Sequence, residues 1–142
     1  MSGKQIGYYL ERTTRQVKLA FTKAFNDHDI DLTPEQWVIL DHLLTTNGVS
    51  QNELGSKSYK NAPTVSRIID VLERKKYVER QRFDNDRRRY KIYLTDTGRS
   101  VAEKALPIAV KMRENGWAGL SEGDYEHFIR IIETVFDNFD PS

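Results

Sequence analysis

One stretch decides the fold of this chain: Asn61–Gly98, which reads NAPTVSRIIDVLERKKYVERQRFDNDRRRYKIYLTDTG. Its first part predicts an amphipathic helix that faces a core, because apolar residues recur there at i, i+3, i+4 and i+7. These apolar residues are Val65, Ile68, Ile69 and Leu72. The opposite face of the same helix is polar and carries Asn61, Thr64, Ser66, Arg67 and Arg74.

Two short strands are expected after this helix, over Val78–Phe83 and Arg89–Leu94. The segment Asp84–Arg87 separates them, and its Asx side chains favour a turn because they bond to their own backbone. Arginine occupies positions 87, 88 and 89 at the tip of this hairpin. An exposed polar helix beside a basic hairpin is the outline of a winged helix. In that arrangement the helix enters a DNA major groove, and the hairpin reaches phosphates or the minor groove.

Composition limits the class of protein. A length of 142 residues suits one domain, or one domain with an oligomerisation arm. The absence of cysteine excludes disulfides, thiolate metal sites and thiol redox sensing. There is no apolar run of about 18 residues to cross a membrane, and the N-terminus turns charged too soon for a secretory signal. We therefore expect a cytoplasmic protein that has no membrane partner.

The charge is distributed unevenly along the chain, although the formal net charge is only +1. Between Lys57 and Lys91 there are twelve basic and five acidic side chains, a net charge of +7. Between Ser121 and Ser142 there are six acidic side chains and one basic, a net charge of −5. A basic middle segment on a nearly neutral chain indicates a surface that binds a polyanion.

The remaining helices are predicted from their apolar spacing and their starting residues. A long first helix has its apolar positions at Ile6, Tyr9, Leu10, Val17, Phe21, Ala24 and Phe25. Caps at Thr33, Ser50, Asn61, Thr95 and Ser121 begin the second to sixth helices. Pro107 lies inside the fifth helix, where we expect a kink or a local break. The predicted order is α-α-α-α-β-β-α-α, a mainly α fold with a small β-hairpin wing.

The last helix carries an apolar seam whose residues are spaced three and four apart, as in helices that pack at a shallow angle. The seam consists of Tyr125, Phe128, Ile132, Val135 and Phe139. Long amphipathic helices at both ends of the chain exceed what one small core can cover, so we expect them to pair with a second copy. A two-fold dimer would present two copies of the polar-faced helix that begins at Asn61, called here the reading helix, to a pseudo-palindromic DNA site.

On these residues the chain resembles the MarR (multiple antibiotic resistance regulator) family of bacterial transcription factors. The resembling segments are Leu32–Trp37, Asn52–Leu54, Pro63–Glu73, Asp84–Arg88 and Leu94–Gly98. The resemblance implies a homodimer that has a winged helix in each subunit and is usually a repressor released by a small molecule. It divides the single domain into a DNA-binding lobe over residues 30–98 and dimerisation helices over residues 1–29 and 99–142.

The resemblance also implies roles for individual residues. Arg67 would read base edges, and Arg88 would enter the minor groove while Asp86 holds it. The chemistry agrees, since a guanidinium pairs bidentately with guanine or lies in a narrow, electronegative minor groove. The expected DNA-binding set is Ser50, Gln51, Asn61, Pro63, Thr64, Ser66, Arg67, Arg74, Asp86, Arg87, Arg88 and Arg89.

Plainer interpretations stand beside these roles. Arg67 would otherwise pair with Asp70 on the helix surface, and Asp86 would only shape its turn. Lys75 and Lys76 would either contact phosphates or simply satisfy the preference of a helix C-terminus for cations.

Family effectors commonly occupy clefts between the dimer helices and the reading lobe. A small aromatic or phenolic effector would find an aromatic cleft with polar anchors in Tyr8, Tyr9, Arg12, Trp37 and His42. Aromatic residues on helices usually belong to a core, and this interpretation, which is favoured over the ligand cleft, makes Trp37 and Tyr9 core and dimer residues. The expected dimer interface comprises Ile6, Tyr9, Tyr125, Phe128, Ile132, Val135 and Phe139.

An enzyme is not expected, because the chain has no glycine-rich phosphate loop, no nucleophile elbow and no HExxH motif. No cofactor is expected, and His28, His42 and His127 lie too far apart in sequence to suggest a metal site. The alternative function is a winged helix that binds protein without sequence-specific DNA binding. A salt titration separates the two, because DNA binding weakens steeply as salt rises.

Overall fold

The computed structural model describes residues 5–142. This part of the chain contains six helices and a three-stranded antiparallel sheet in the order β1-β3-β2. The helices are α1 (Ile6–Asp27), α2 (Pro34–Thr45), α3 (Gln51–Ser58), α4 (Ala62–Arg74), α5 (Asp96–Gly116) and α6 (Glu122–Phe139). The strands are β1 (Val49–Ser50), β2 (Val78–Phe83) and β3 (Asp86–Leu94). The predicted mainly α fold with a hairpin wing is therefore confirmed, and none of the described helices has the length and apolarity needed to cross a membrane.

Helix starts follow the predicted caps, because a side-chain oxygen there satisfies a free backbone N–H. Thr33 Oγ1 accepts from the Gln36 backbone N–H at 3.1 Å, and Gln36 Oε1 accepts in return from the Thr33 N–H at 3.1 Å. Asn61 Oδ1 accepts from the Thr64 N–H at 2.9 Å at the start of α4. Ser121 and Asp124 form a second reciprocal box at the start of α6.

The wing is a hairpin whose turn is shorter than predicted. Phe83 pairs directly with Asp86, so only Asp84 and Asn85 form the turn, and β3 begins three residues earlier than expected. A register shift between Arg82 and Phe83 marks a bulge beside this turn. The predicted order omitted β1, which pairs with β3. A strand of two residues leaves no periodic signal in a sequence.

Helix α5 runs without interruption through Pro107, so the local break expected there does not occur. The start of this helix is fixed by close packing. Thr95 Oγ1 accepts from the Gly98 N–H at 3.0 Å and donates to the Lys76 carbonyl oxygen at 2.6 Å. A Cβ on Gly98 would lie 1.8 Å from the Tyr77 carbonyl oxygen, so this position requires glycine.

The core lies where the end of α1 and helices α2, α3 and α4 meet the sheet and part of α5. Its largest fully buried side chains are Phe25, Ile39, Leu40, Leu43, Leu54, Ile69, Leu72, Ile92, Val65 and Val78. The described residues up to Ala109 form one compact unit, and residues Val110–Ser142 form another. In the second unit α6 has no buried residue among those described, and the ring of Trp117 packs edge-on against Tyr125 and Phe128.

Candidate nucleic-acid interface

Helix α4 presents its polar face to solvent. Asn61, Pro63, Arg67 and Arg74 are exposed, while Thr64 and Ser66 are half-buried. The Arg67 guanidinium donates to Thr64 Oγ1 at 3.4 Å, one helical turn away. Asp70, the alternative partner suggested for Arg67, instead lies 2.7 Å from Arg80 Nη1. Arg67 is therefore exposed and held lightly by an uncharged hydroxyl.

The wing tip exposes the three predicted arginines at positions 87–89. Asp86 Oδ1 accepts from the Arg88 backbone N–H at 3.0 Å and from Arg88 Nε at 3.4 Å. The Arg88 side chain is nevertheless 91% exposed. The Arg89 guanidinium lies over the Phe83 ring, 4.3 Å from its centroid. Asp86 both shapes the backbone and orients Arg88, so the two interpretations of Asp86 are compatible.

The start of α3 lies beside the wing. Ser50 caps α3 by accepting from the Glu53 N–H at 3.1 Å. Ser50 and Gln51 line a small depression of about 60 Å³ together with Arg88 and Arg89. The fold thus brings these predicted residues of α3 next to the predicted residues of the wing.

Arg80 is a residue of this surface that the sequence prediction missed. It lies on β2 and contacts two carboxylates of α4, with its Nη1 2.7 Å from Asp70 and 3.0 Å from Glu73. Its Nη2 donates to the Ser66 carbonyl oxygen at 3.1 Å, and its Nε donates to Gln51 Oε1 at 3.1 Å. The sequence held a weak signal, since strand alternation places Arg80 on the same face as Val78, which is buried.

The two lysines after α4 differ in their surroundings. Lys75 Nζ donates to Gln36 Oε1 at 2.9 Å and to the Asp31 carboxylate at 3.1 Å. Lys76 is exposed and has a left-handed backbone with φ of 65°. Neither interpretation left open by the sequence describes the contacts of Lys75, because its ammonium bonds to Asp31 and Gln36, which lie in a distant part of the chain.

A cavity of about 740 Å³ that is open to solvent along α1 lies between α1 and the start of α2. Leu10 and Leu19 supply apolar walls, and Arg15, Lys18 and Glu35 supply charge. Lys18 Nζ lies 3.0 Å from the Glu35 carboxylate. Burial raises the pKa of Glu35, but the hydrogen bond and charge of Lys18, with a backbone hydrogen bond, outweigh it and hold the pKa below its ordinary value.

The predicted effector residues are not gathered around this cavity. Trp37 is buried in the core, where its ring packs edge-on against Phe25. Arg12 stacks over the exposed rings of Tyr8 and Tyr9 near the start of α1. His42 lies half-buried near the end of α2.

The predicted dimer residues remain accessible in the single chain. Ile6 and Tyr9 are exposed on α1. On α6, Tyr125, Phe128 and Phe139 are exposed, with Phe128 at 45%, and Ile132 and Val135 are half-buried.

A helix-turn-helix beside a basic hairpin wing defines the winged-helix class of transcriptional regulators. Comparison with known proteins agrees, since the family model described as MarR family matches residues 30–89. The Bacillus subtilis protein YdcH, named an uncharacterized HTH-type transcriptional regulator, is 31% identical over 130 residues, covering 82% of this chain and 87% of YdcH. The chain belongs to the MarR family. The relatives that it resembles are transcriptional regulators and not enzymes.

Two solved structures of similar proteins contain DNA. The Staphylococcus aureus MepR–DNA complex has a TM-score of 0.85 and 25% identity, covering 96% of this chain and 99% of MepR. The transcriptional repressor CouR, bound to a 23-mer DNA duplex, has a TM-score of 0.78 and 25% identity, covering 92% of each chain.

Proposed function

We propose that this protein is a sequence-specific, double-stranded DNA-binding repressor that acts as a homodimer on a pseudo-palindromic operator. The observation that carries the proposal is the pair of exposed arginines, Arg67 on α4 and Arg88 at the wing tip. The Arg67 guanidinium lies 3.4 Å from the Thr64 hydroxyl, and the Arg88 guanidinium lies 3.4 Å from the Asp86 carboxylate. Contacts of this length hold a side chain only weakly, so both guanidinium groups stay accessible to DNA.

The two arginines suit different grooves. Arg67 would read a guanine edge in the major groove, where O6 and N7 accept two bonds from one guanidinium. Arg88 would lie in the minor groove, where a narrow A·T-rich segment has an enhanced negative potential. Asn61, Pro63, Thr64, Ser66 and Arg74 would border the α4 contact, and Ser50, Gln51, Arg87 and Arg89 would contact the phosphates between the two grooves.

The dimer is supported by the apolar residues that the terminal helices expose. We propose that residues 1–29 and 99–142 pair with the same elements of a second subunit, while residues 30–98 form the DNA-binding lobe. Burial of large apolar side chains is the main driving force for such association. Two-fold symmetry would then repeat the reading helix in a second half-site. A repressor of this kind acts on chromosomal DNA, in the cytoplasm.

Ligand control is part of the proposal, with a small aromatic or phenolic molecule as effector. The cavity between α1 and α2 supports it, because a volume of about 740 Å³ lies in the range of small-molecule sites. Its apolar walls suit a ring, and Arg15 suits a carboxylate or phenolate, whereas Lys18 is already paired with Glu35. Screening phenols and aromatic acids by thermal shift, with and without Arg15→Ala, would test whether this cavity binds them.

The DNA-binding proposal is tested by selection from a random-sequence duplex pool with the purified protein. The selected duplex and a scrambled duplex of equal composition are then titrated by fluorescence anisotropy at several salt concentrations. Preferential binding to the selected duplex, with affinity that falls steeply as salt rises, is expected. Recovery of no preferred sequence, or binding that salt leaves unchanged, would favour the protein-interaction alternative.

A further inference from the structure

The side chain of Arg80 joins three elements of the DNA-binding lobe. The backbone of Arg80 lies in β2 of the wing. Its Nη1 and Nη2 donate to acceptors on α4, and its Nε donates to Gln51 at the start of α3. The side chain is only 14% exposed, and each of its three nitrogens has a partner between 2.7 and 3.1 Å away. Four of the five guanidinium N–H donors are therefore directed at protein acceptors, and Arg80 is poorly placed to serve as a phosphate contact.

The two carboxylates that Arg80 contacts belong to α4, which is the reading helix. Asp70 lies one turn after Arg67, and Glu73 lies one turn after Asp70, so both carboxylates border the face that is proposed to meet DNA. The Glu73 carboxylate also accepts from the Arg80 backbone N–H at 3.4 Å. Helix and wing are thus joined through both the side chain and the main chain of one residue.

We propose that Arg80 is a positioning residue for DNA recognition: it holds the reading helix, the start of α3 and the wing in the one arrangement that engages both grooves together. The inference rests on the proposed DNA-binding function. Arginine suits this role because its planar fork directs donors to several acceptors at once, whereas a lysine ammonium is a point charge on a flexible stem.

The proposal makes a prediction opposite to that of simple electrostatics. Asp70→Ala combined with Glu73→Ala removes two negative charges from a protein that binds a polyanion, which by charge alone would tighten binding. If Arg80 acts by position, the same change frees its guanidinium and weakens binding to the selected duplex. Both carboxylates are solvent-accessible, at 53% and 43%, and alanine favours helix, so the fold should be retained.

The experiment compares these variants with a matched control on the same strand. Arg80→Gln and Arg80→Lys should each bind the selected duplex about 10- to 100-fold more weakly, as expected for loss of hydrogen bonds to charged groups. Arg82→Gln removes an equal charge from an exposed position two residues along β2, and it should weaken selected and scrambled duplexes by equal factors. Thermal unfolding of every variant shows whether it is folded at the assay temperature.

The decisive measurement is the ratio of affinities for selected and scrambled duplexes, which a loss of stability alone would leave unchanged in the folded protein. The ratio should fall for Arg80→Gln, Arg80→Lys and the Asp70→Ala/Glu73→Ala protein. Parental affinity for the selected duplex in Arg80→Lys would overturn the assignment of Arg80 as a positioning residue. Tighter binding by the Asp70→Ala/Glu73→Ala protein would overturn it as well. A parent protein that selects no sequence would instead overturn the proposed function.

Discussion

Gln36 Oε1 accepts a hydrogen bond from Lys75 Nζ at 2.9 Å, and it thereby joins the first turn of α2 to the end of the reading helix. The same oxygen also accepts from the Thr33 N–H within the capping box. Gln36 is buried, and both bonds are partly shielded from water. Their loss would leave the Thr33 N–H without its side-chain acceptor and would remove one acceptor from the half-buried Lys75 ammonium, which would keep only its contacts with Asp31.

Gln36→Leu is therefore expected to lower the free energy of unfolding by about 1–3 kcal/mol, because it removes the acceptor of the Thr33 N–H in the capping box and one acceptor of Lys75 Nζ. Urea denaturation followed by circular dichroism measures the change. Gln81→Leu, at an exposed position on β2, is the control and should change stability by less than about 0.5 kcal/mol. Equal stabilities for the two variants would contradict the assigned role of Gln36.

The two neighbouring lysines should behave differently on DNA. Lys76→Ala should weaken binding to all duplexes alike and flatten the salt slope by about one unit, as expected for a lost phosphate contact. Lys75→Ala should leave the slope unchanged, because its ammonium is occupied by Gln36 and Asp31. Anisotropy titrations across a salt series check both, and identical slopes for the two variants would remove the distinction.

Arg67→Ala should cost about 1–3 kcal/mol on the selected duplex and relax base preference at one position in each half-site. The reason is the loss of a bidentate contact that only one base pair supports. Repeating the selection with the variant reveals the relaxed position. A variant that selects the parental sequence with parental affinity would show that the reading face is assigned wrongly.

Arg88→Ala should lose most affinity on duplexes whose flanks are A·T-rich, because a narrow minor groove concentrates negative potential there. Asp86→Ala should show a weaker form of the same pattern, since the guanidinium remains but loses its Oδ1 partner. Parent and variants are titrated on two duplexes that differ only in their flanks. Equal losses of affinity on both duplexes would mean that the wing contributes only nonspecific electrostatic attraction to phosphates.

The exposed seam of α6 should hold the dimer. Phe128→Glu combined with Val135→Glu should give monomers or insoluble protein, because the charges would be buried in an apolar interface. Arg130→Glu is the control, since helical periodicity places position 130 on the opposite side of α6. Light scattering at micromolar concentration measures the mass, and a monodisperse monomer of the parent protein would rule out the proposed dimer.

The Lys18–Glu35 ion pair should make stability depend on pH. The pKa of Glu35 is lowered in the folded protein from an ordinary value of 4.5, so its ionised form stabilises the fold above that pH. This contribution is lost as the pH falls through the lowered pKa. Glu35→Gln should therefore show a smaller fall in unfolding free energy than the parent on acidification below 4.5.

Lys18→Met is the matched variant for this test, because it removes the cation and keeps the carboxylate. It should reduce the pH dependence in the same region, although burial still acts on Glu35. Urea titrations at a series of pH values measure both variants. A parent and a Glu35→Gln protein with parallel stability curves would show that the pair contributes nothing.

Local sequence was sufficient for most elements of the fold. Thr33, Asn61 and Ser121 mark helix starts because a cap satisfies an N–H only three residues away. The bounds of β2 follow from its composition and the adjacent turn residues. The candidate site residues on α4 and the wing were likewise predicted, since an exposed polar face and a run of arginines are visible without any tertiary contact.

Tertiary structure alone decided which charges are free and which are paired. Lys75 and Asp31 are 44 residues apart, and Arg80 lies 29 residues from Gln51, so no local pattern joins them. Strand β1 forms because Val49 and Ser50 pair with β3. The cavity forms because α1 lies against the start of α2. The sequence by itself determined the elements and the exposed arginines, through short-range hydrogen bonds and periodicity. Folding determined the ion pairs and the cavity, because these depend on chain segments that are distant in sequence and meet only in the packed structure.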